Sequence, residues 1–456
     1  MTPDKIYILS LGCPKNLVDS EIMSAALQTA GFTVTSAERE AGIIIVNTCA
    51  FILPAKEESV DEILRLAQWK MQGSCAYLIV AGCLAQRYGR QLCREIPEAD
   101  LFLGINEIDH IVAHVQRLLR GAPALPERAV ISPPAFLMTA RHKRHLGTPF
   151  YQAYLKIAEG CSNRCSYCVI PSVRGPLRSR PLHDILAEAS ELIGNGVREL
   201  IITAQDTSAY GRDLPGHPSL PHLLEKLAAL PHLRWIRLMY TYPEELTDDL
   251  FRVIAAEEKI CSYIDVPVQH IDDEILVAMN RRGNNKMIRE RLGQARRVIP
   301  GVALRTSLIV GFPGETRKKF NALLSFVEDT RFDHLGVFTY SPEEDTPAAG
   351  LLRHVGEKTK RKRRARIMET QALISLDINR SLVSSVQEVL VEGKSDLEDY
   401  PYRGRCRRQA PDIDGVTYLR GDNLREGIFV RARVVAADEY DLFAVAEENG
   451  PSAAET

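Results

Sequence analysis

The chain has 456 residues, room for about three domains of ~150 residues each, and its 45% hydrophobic and 25% charged content is that of an ordinary globular protein. With 57 basic against 59 acidic residues the net charge is −2, which argues against wholesale nucleic-acid binding but leaves room for a local basic patch. Ten cysteines in a chain this long do not read as the disulfide framework of a small secreted domain, and no run approaches the ~18 apolar residues of a membrane span. The apolar stretch Ile6 to Cys13 is too short for a signal peptide, so a reducing cytoplasm and no membrane partner are expected.

Residues 1–120 alternate strand-like and helix-like segments. Three apolar runs each end in a cysteine: Ile6 to Cys13, Gly42 to Cys49 and Tyr77 to Cys83. Continuous β-branched runs bounded by glycine are the pattern of buried parallel strands. Amphipathic stretches Asn16 to Ala30 and Ala55 to Gln72 lie between them, and a strand Leu101 to Ile105 precedes a helix Ile108 to Arg120. This predicts a doubly wound parallel sheet, in which ligands sit beyond the carboxyl ends of the strands. Cys13, Cys49 and Cys83 fall at that edge, about one strand–helix unit apart. They are either three separate core cysteines or three thiolates gathered round one iron–sulfur cluster. Cys75, Cys93, Cys261 and Cys406 have no such placement and read as small buried hydrophobes.

Residues 121–148 read as a linker. They hold Pro123, Pro126, Pro133 and Pro134 and a basic stretch, Arg141 to His145, that is as well explained as a solvated surface. Beyond the linker, residues 149–376 open on a strand, Tyr151 to Glu159, that leads into Cys161-Ser-Asn-Arg-Cys165-Ser-Tyr-Cys168. Soft thiolates select zinc or an iron–sulfur cluster over hard cations. A closed zinc site wants a fourth ligand, and the first histidine downstream is His183, so zinc would need a distant partner. Three thiolates on a 4Fe-4S cluster leave one iron open to a substrate.

Further strands are expected at residues 199–204, 235–240, 263–268, 303–310 and 334–339, with helices at 182–193, 272–281, 286–299 and 315–329. Six such units fit an incomplete (β/α) barrel, whose chemistry lies at strand C-termini. Gln205-Asp206-Thr207, Tyr242-Pro-Glu244, Gln269-His270, Gly311-Phe-Pro313-Gly314-Glu315 and Ser341-Pro-Glu-Glu344 all follow strands. The glycine loop either lets backbone approach a ligand or is a plain turn with Glu315 or Thr316 near the helix start. His270 is given no catalytic role.

Residues 377–447 alternate apolar and polar at 386–391, 417–419, 428–430 and 442–445, as in a small antiparallel, OB-like β-barrel. Residues 378–456 carry 15 acidic and 10 basic side chains, net −5, a sign that suits a basic protein better than an RNA backbone. Arg403, Arg405, Arg407 and Arg408 form a basic patch that keeps an RNA contact open, and residues 448–456 read as a flexible tail.

The Cys161–Cys168 loop, with Tyr167 before its third cysteine, resembles the radical S-adenosylmethionine (SAM) signature. Ser10-Leu-Gly-Cys13-Pro-Lys-Asn16, Val46-Asn-Thr-Cys49 and Ala81-Gly-Cys83 resemble the amino-terminal domain of methylthiotransferases, and residues 377–447 resemble the TRAM domain. Ala158-Glu-Gly-Cys161, Ile170-Pro-Ser-Val-Arg174, Ala204-Gln-Asp-Thr207 and Tyr340-Ser-Pro-Glu-Glu344 resemble the branch that modifies an aspartate of ribosomal protein S-twelve, rather than the branch that modifies transfer-RNA adenosines. The resemblance implies two 4Fe-4S clusters, one on Cys161, Cys165 and Cys168 and an auxiliary one on Cys13, Cys49 and Cys83. It also implies SAM held near Tyr167, Gln205, Gly311, Pro313 and Gly314. A radical derived from SAM would take a hydrogen from the aspartate β-carbon, the auxiliary cluster would bring sulfur, and an electron donor such as flavodoxin would serve the reaction. Transfer-RNA modification, or a non-catalytic iron–sulfur or RNA-binding scaffold, are the competing readings.

Overall fold

The computed structural model describes residues 4–120 and 128–447. The expected flexible tail and the linker prolines Pro123 and Pro126 lie outside the described residues. The chain divides into two compact units, residues 1–195, 202–220 and 341–350 in one and residues 196–201, 221–340 and 351–456 in the other.

The first unit is built on a parallel six-stranded sheet in the order β2-β1-β3-β4-β5-β6. Its strands are β1 (Lys5–Ser10), β2 (Thr33–Val34), β3 (Ile43–Thr48), β4 (Tyr77–Gly82), β5 (Leu101–Leu103) and β6 (Ala129–Val130). Between them run α1 (Pro14–Thr29), α2 (Leu53–Met71), α3 (Cys83–Glu95) and α4 (Ile111–Leu119). The apolar runs are central strands, and every residue of β3 is buried. Parallel register sets Ser10 beside Asn47 and Thr48 beside Gly82, so the three strands finish level. Two features escape the hydrophobic pattern. Helix α3 begins at Cys83 with no intervening loop, because Gly82 turns the chain at φ 91°. Strands β2 and β6 are two residues long, too short to show a period.

The same unit continues through β7 (Gln152–Lys156), β8 (Ala158–Glu159), α5 (Ile170–Arg174), β9 (Arg178–Ser179) and α6 (Leu182–Gly194), with β8 and β9 antiparallel.

Every strand expected further on is present: β10 (Glu199–Thr203), β11 (Trp235–Leu238), β12 (Tyr263–Asp265), β13 (Ala303–Val310) and β14 (His334–Thr339). The helices are α7 (Leu220–Ala228), α8 (Asp248–Ala256), α9 (Asp273–Ala278), α10 (Asn285–Val298), α11 (Arg317–Thr330) and the long α12 (Glu357–Ser381). In the second unit β12, β13 and β14 form a parallel sheet. The closed barrel that follows has β15 (Val386–Leu397), β16 (Tyr400–Cys406), β17 (Thr417–Arg420), β18 (Phe429–Ala437) and β19 (Leu442–Ala446), in the order β15-β16-β17-β19-β18. It is not uniformly antiparallel, since β17 and β19 pair in parallel. Val389, Val391, Cys406, Leu419, Val430, Val434 and Leu442 fill its core. Cys75, Cys261 and Cys406 are buried as expected, whereas Cys93 is half-buried. No helix among the described residues is long and apolar enough to cross a membrane.

Strand β16 hides from the alternation because Arg405, on the face opposite the core residue Cys406, is charged and yet buried. Arg405 is buried; its Nη2 lies 2.6 Å from Glu199 Oε2 and its Nε 2.5 Å from Glu392 Oε1. Arg237 Nε holds the same Glu199 at 2.8 Å. Arg407 pairs with Glu388 and Arg408 with Asp333, so three of the four arginines read as a basic patch are spent inside the unit, and Arg403 alone of the four is exposed. Burial would raise the Glu199 carboxyl, but Arg405 and Arg237 outweigh it and hold it below its ordinary value. Removing one partner of such a buried set costs about 3–5 kcal/mol, because the charge left behind has no other solvation. Arg405→Ala is therefore expected to lower the thermal midpoint of the second unit by several degrees in calorimetry. A carboxyl depressed on folding adds stability above its unfolded value near 4.5 that is lost as pH falls towards its folded value. Part of the acid sensitivity below that pH should accordingly vanish in Glu199→Gln.

Candidate functional site

Cys13, Cys49 and Cys83 arrive at one sheet edge from three strands. Cys13 caps α1 with Pro14 behind it, Cys49 follows β3, and Cys83 opens α3. Two glycines permit the approach. At Gly12, φ 88°, a Cβ would lie 2.6 Å from Cys49 Cβ and 2.8 Å from its Sγ. At Gly82, φ 91°, a Cβ would lie 2.2 Å from Asn47 Oδ1. Only glycine fits either position.

One side chain pins all three cysteine loops. Asn16 Nδ2 donates to Leu11 O at 2.9 Å and to Thr48 O at 2.8 Å, holding the turns before Cys13 and Cys49. Its Oδ1 lies 3.8 Å from Cys83 Sγ, within reach of the thiol. Asn47 Nδ2 returns the contact, donating to Asn16 O and Ser20 Oγ, and Ser59 clasps the backbone of Cys49 at both its N–H and its carbonyl. Burial, with Cys83 and Cys13 close by, pushes the Cys49 thiol up to about 12, and burial likewise raises Cys83. Deprotonation there calls for a cation-rich guest, which is what an iron–sulfur cluster is.

The Cys161–Cys168 loop lies between β8 and α5 of the same unit. Cys161 N donates to Gly175 O at 3.0 Å, Cys168 N to Cys165 O at 3.1 Å, and Ala348 N to Ser166 O at 2.9 Å. Gly160, φ 75°, admits the carbonyls of Gly175 and Pro176 where a Cβ would clash. Asn163 Nδ2 reaches Asp206 Oδ2 at 2.6 Å. Burial raises the Cys161 thiol to about 11, with Asp206 and Cys165 adding to the shift. Tyr167 is half-buried on this loop. Gln205 Nε2 donates to Glu159 Oε1 at 2.5 Å, while its buried Oε1 has no protein partner. An orphaned acceptor beside the cysteine loop is what a bound polar cofactor would satisfy.

Among the described residues, no three Cys, His, Asp or Glu side chains close round a single metal ion. A 4Fe-4S cube asks for a wider spread, because each thiolate goes to a different iron. Both donor sets are all-thiolate, with glycine-cleared approaches, and fit such a cluster.

The two cysteine sets share a buried brace that the sequence reading did not foresee. Lys156 Nζ lies 2.5 Å from Asp19 Oδ1 and 2.9 Å from Glu159 Oε2. Arg174 Nη1 lies 2.7 Å from Asp19 Oδ2 and 3.3 Å from Glu159 Oε2. Arg174 Nη2 donates to Asn16 Oδ1 at 2.5 Å and to Cys83 Sγ at 3.4 Å. All four charged groups are at most 2% exposed. Burial would raise Glu159, but Lys156 and Arg174 outweigh it and hold its carboxyl at about 2. Burial would likewise lower Lys156, but Asp19 and Glu159 keep it charged. The available signal was a lysine and a glutamate, Lys156 and Glu159, in the strand-like run 151–159.

Gly311, Pro313 and Gly314 belong to the second unit. Thr316 Oγ1 caps α11, accepting from Lys319 N at 3.3 Å, so the turn reading of this loop is realised. Glu315 is not the cap; its carboxylate folds back to accept from the N–H groups of Gly311 and Phe312, and Arg363 pairs with it. Gly311 has φ 76° and faces the Lys360 side chain. His270 is buried, accepts from Asp272 N at Nδ1, and is pushed down to about 3 by burial and by Lys319 and Arg363.

Comparison with known proteins places this architecture. Residues 5–104 match the uncharacterized protein family UPF0004, residues 155–327 the radical SAM superfamily and residues 383–446 the TRAM domain. Over 446 residues the chain is 60% identical to the ribosomal protein uS12 methylthiotransferase RimO of Syntrophus aciditrophicus (strain SB), spanning 97% of this chain and 98% of that one. The chain belongs to the uS12 methylthiotransferase family. A second family member, from Geobacter sulfurreducens, is 50% identical over 96% of this chain and 98% of its own. The family resemblance read from the cysteine loops is thus borne out, and the chain is a radical SAM methylthiotransferase whose superfamily implies one 4Fe-4S cluster and SAM. The structure of the radical SAM methyltransferase TsrM from Kitasatospora setae, with cobalamin and a [4Fe-4S] cluster bound, matches with a TM-score of 0.53 at 14% identity, over 88% of this chain and 82% of that one. That likeness is one of fold.

Asn16→Ala would take the side-chain donor from the half-buried Leu11 carbonyl and the buried Thr48 carbonyl, at about 1–3 kcal/mol for the buried one. Iron analysis after anaerobic reconstitution should then show loss confined to the Cys13, Cys49 and Cys83 set.

Proposed function

We propose that this enzyme installs a methylthio group on the β-carbon of an aspartate of ribosomal protein uS12, with Cys161, Cys165 and Cys168 holding one 4Fe-4S cluster and Cys13, Cys49 and Cys83 a second. Residues 1–120 would carry the second cluster, 149–376 the radical chemistry and 377–447 the TRAM barrel, while Ala129 and Val130 of the expected linker join the sheet as β6. The reading rests above all on one observation: both sets of three cysteines open from a single compact unit and are braced by the same buried charges. The substrate follows the name carried by relatives up to 60% identical, and the acidic barrel suits a basic protein.

When bound, the first cluster and SAM supply a 5′-deoxyadenosyl radical, and the second cluster supplies the sulfur. The chain's part is positioning. Cys161, Cys165 and Cys168 would be the three thiolate ligands of the first cluster, which would leave one iron for SAM. Gln205, fixed by Glu159, would offer its orphaned Oε1 to the bound cofactor, and Tyr167 of the cysteine loop is the other expected contact. Asn16 and the glycines before Cys13 and Cys83 keep the second set of thiols in register. A cytoplasmic setting and a small electron donor such as flavodoxin complete the reading, and exposed arginines such as Arg403, Arg420 and Arg425 are left for any RNA contact of the barrel.

Cys165→Ala should abolish 5′-deoxyadenosine formation under anaerobic reduction, and a normal yield would refute the first assignment. Cys49→Ala should keep that formation but give no methylthio product, as read by mass spectrometry of uS12. Modification of transfer RNA in place of uS12 by the wild-type enzyme would overturn the substrate.

A further inference from the structure

The buried brace does more than hold loops together. Asp19 and Glu159 are offset by Lys156 and Arg174, two charges against two, so the brace is neutral before any thiolate forms beside it. Arg174 is not used up by its carboxylates: Nη1 serves Asp19 and Glu159, while Nη2 points away from both, to Asn16 Oδ1 and Cys83 Sγ. Three hydrogen-bonding partners fix the guanidinium plane, so its approach to the sulfur is set by the fold. The other cysteine set has the opposite neighbour, because Asp206, held by Asn163 and Ser208, stands near Cys161.

We propose that Arg174 is a positioning residue that raises the reduction potential of the cluster on Cys13, Cys49 and Cys83, by donating a hydrogen bond and a buried positive charge to the Cys83 thiolate. The proposal rests on the reading that this set of cysteines holds a cluster. Cluster potentials follow net charge, hydrogen bonds to the sulfurs and solvent exposure. A reduced cluster carries one more negative charge, so a fixed cation in a low-dielectric site favours it. The two cysteine sets thereby sit in opposite local fields, a cation at the second and a carboxylate at the first.

The test uses the full-length chain carrying Cys161→Ala, Cys165→Ala and Cys168→Ala, reconstituted anaerobically with iron and sulfide. Its remaining cluster is titrated with dithionite and followed by electron paramagnetic resonance. Adding Arg174→Gln should move the midpoint to more negative potential at undiminished iron content, and Arg174→Lys should move it less. Asp19→Asn keeps the guanidinium and removes one carboxylate that offsets it, so the midpoint should move the other way, and this variant decides if Arg174→Gln holds no iron. An unmoved midpoint in the iron-loaded variants overturns the proposal. A parent that binds no iron at all overturns instead the cluster assignment on which it rests.

Discussion

The first unit depends on a neutral knot of four buried charges, Asp19, Lys156, Glu159 and Arg174. Each member comes from a different element: Asp19 from α1, Lys156 from β7, Glu159 from β8 and Arg174 from α5. Their desolvation is expensive, and a hydrophobic replacement of similar volume is often as stable. What the knot provides is mutual constraint. The helix that starts at Cys13 cannot shift against the strand that leads to Cys161 without separating charges that have no water to turn to.

Around that knot the thiols are placed by backbone rather than by side-chain packing. Level strand ends, glycines at Gly12, Gly82 and Gly160, and the two-handed grip of Asn16 on the turns before Cys13 and Cys49 set their positions. The same burial that orders Cys49 and Cys83 makes their charged forms costly. On the proposed reading, iron bound there would be coupled to the order of the sheet edge, since Cys49 and Cys83 have to give up protons that burial holds on them.

The cysteines were legible because their spacing and their strand-end positions are one-dimensional signals. The parallel strands were legible for the same reason, as runs such as Ile43 to Val46 admit few other readings. What stayed hidden was whatever depends on partners far along the chain. Lys156 is 137 residues from Asp19, and Arg174 is 91 from Cys83, so no local pattern joins them. Helix α3 was missed because it starts at Cys83 itself, turned by the single glycine Gly82, with no loop residues to mark its beginning. The arginines around 405 were read as a surface patch because a run of like charge usually is one; here Glu199, Glu388 and Asp333 draw three of them inward.

That inward turn has a consequence for how the barrel is inherited. Glu199 belongs to an early strand and Arg405 to the barrel, and Trp235 Nε1 reaches Glu388 Oε2 at 2.8 Å. Small barrels are often shuffled between proteins as self-contained cassettes. This one could not be exchanged by cutting after α12 alone, because the transplant would have to bring its own answers to a sunken carboxylate and an indole left behind. The barrel and the two strands that carry Glu199 and Trp235 therefore have to change together.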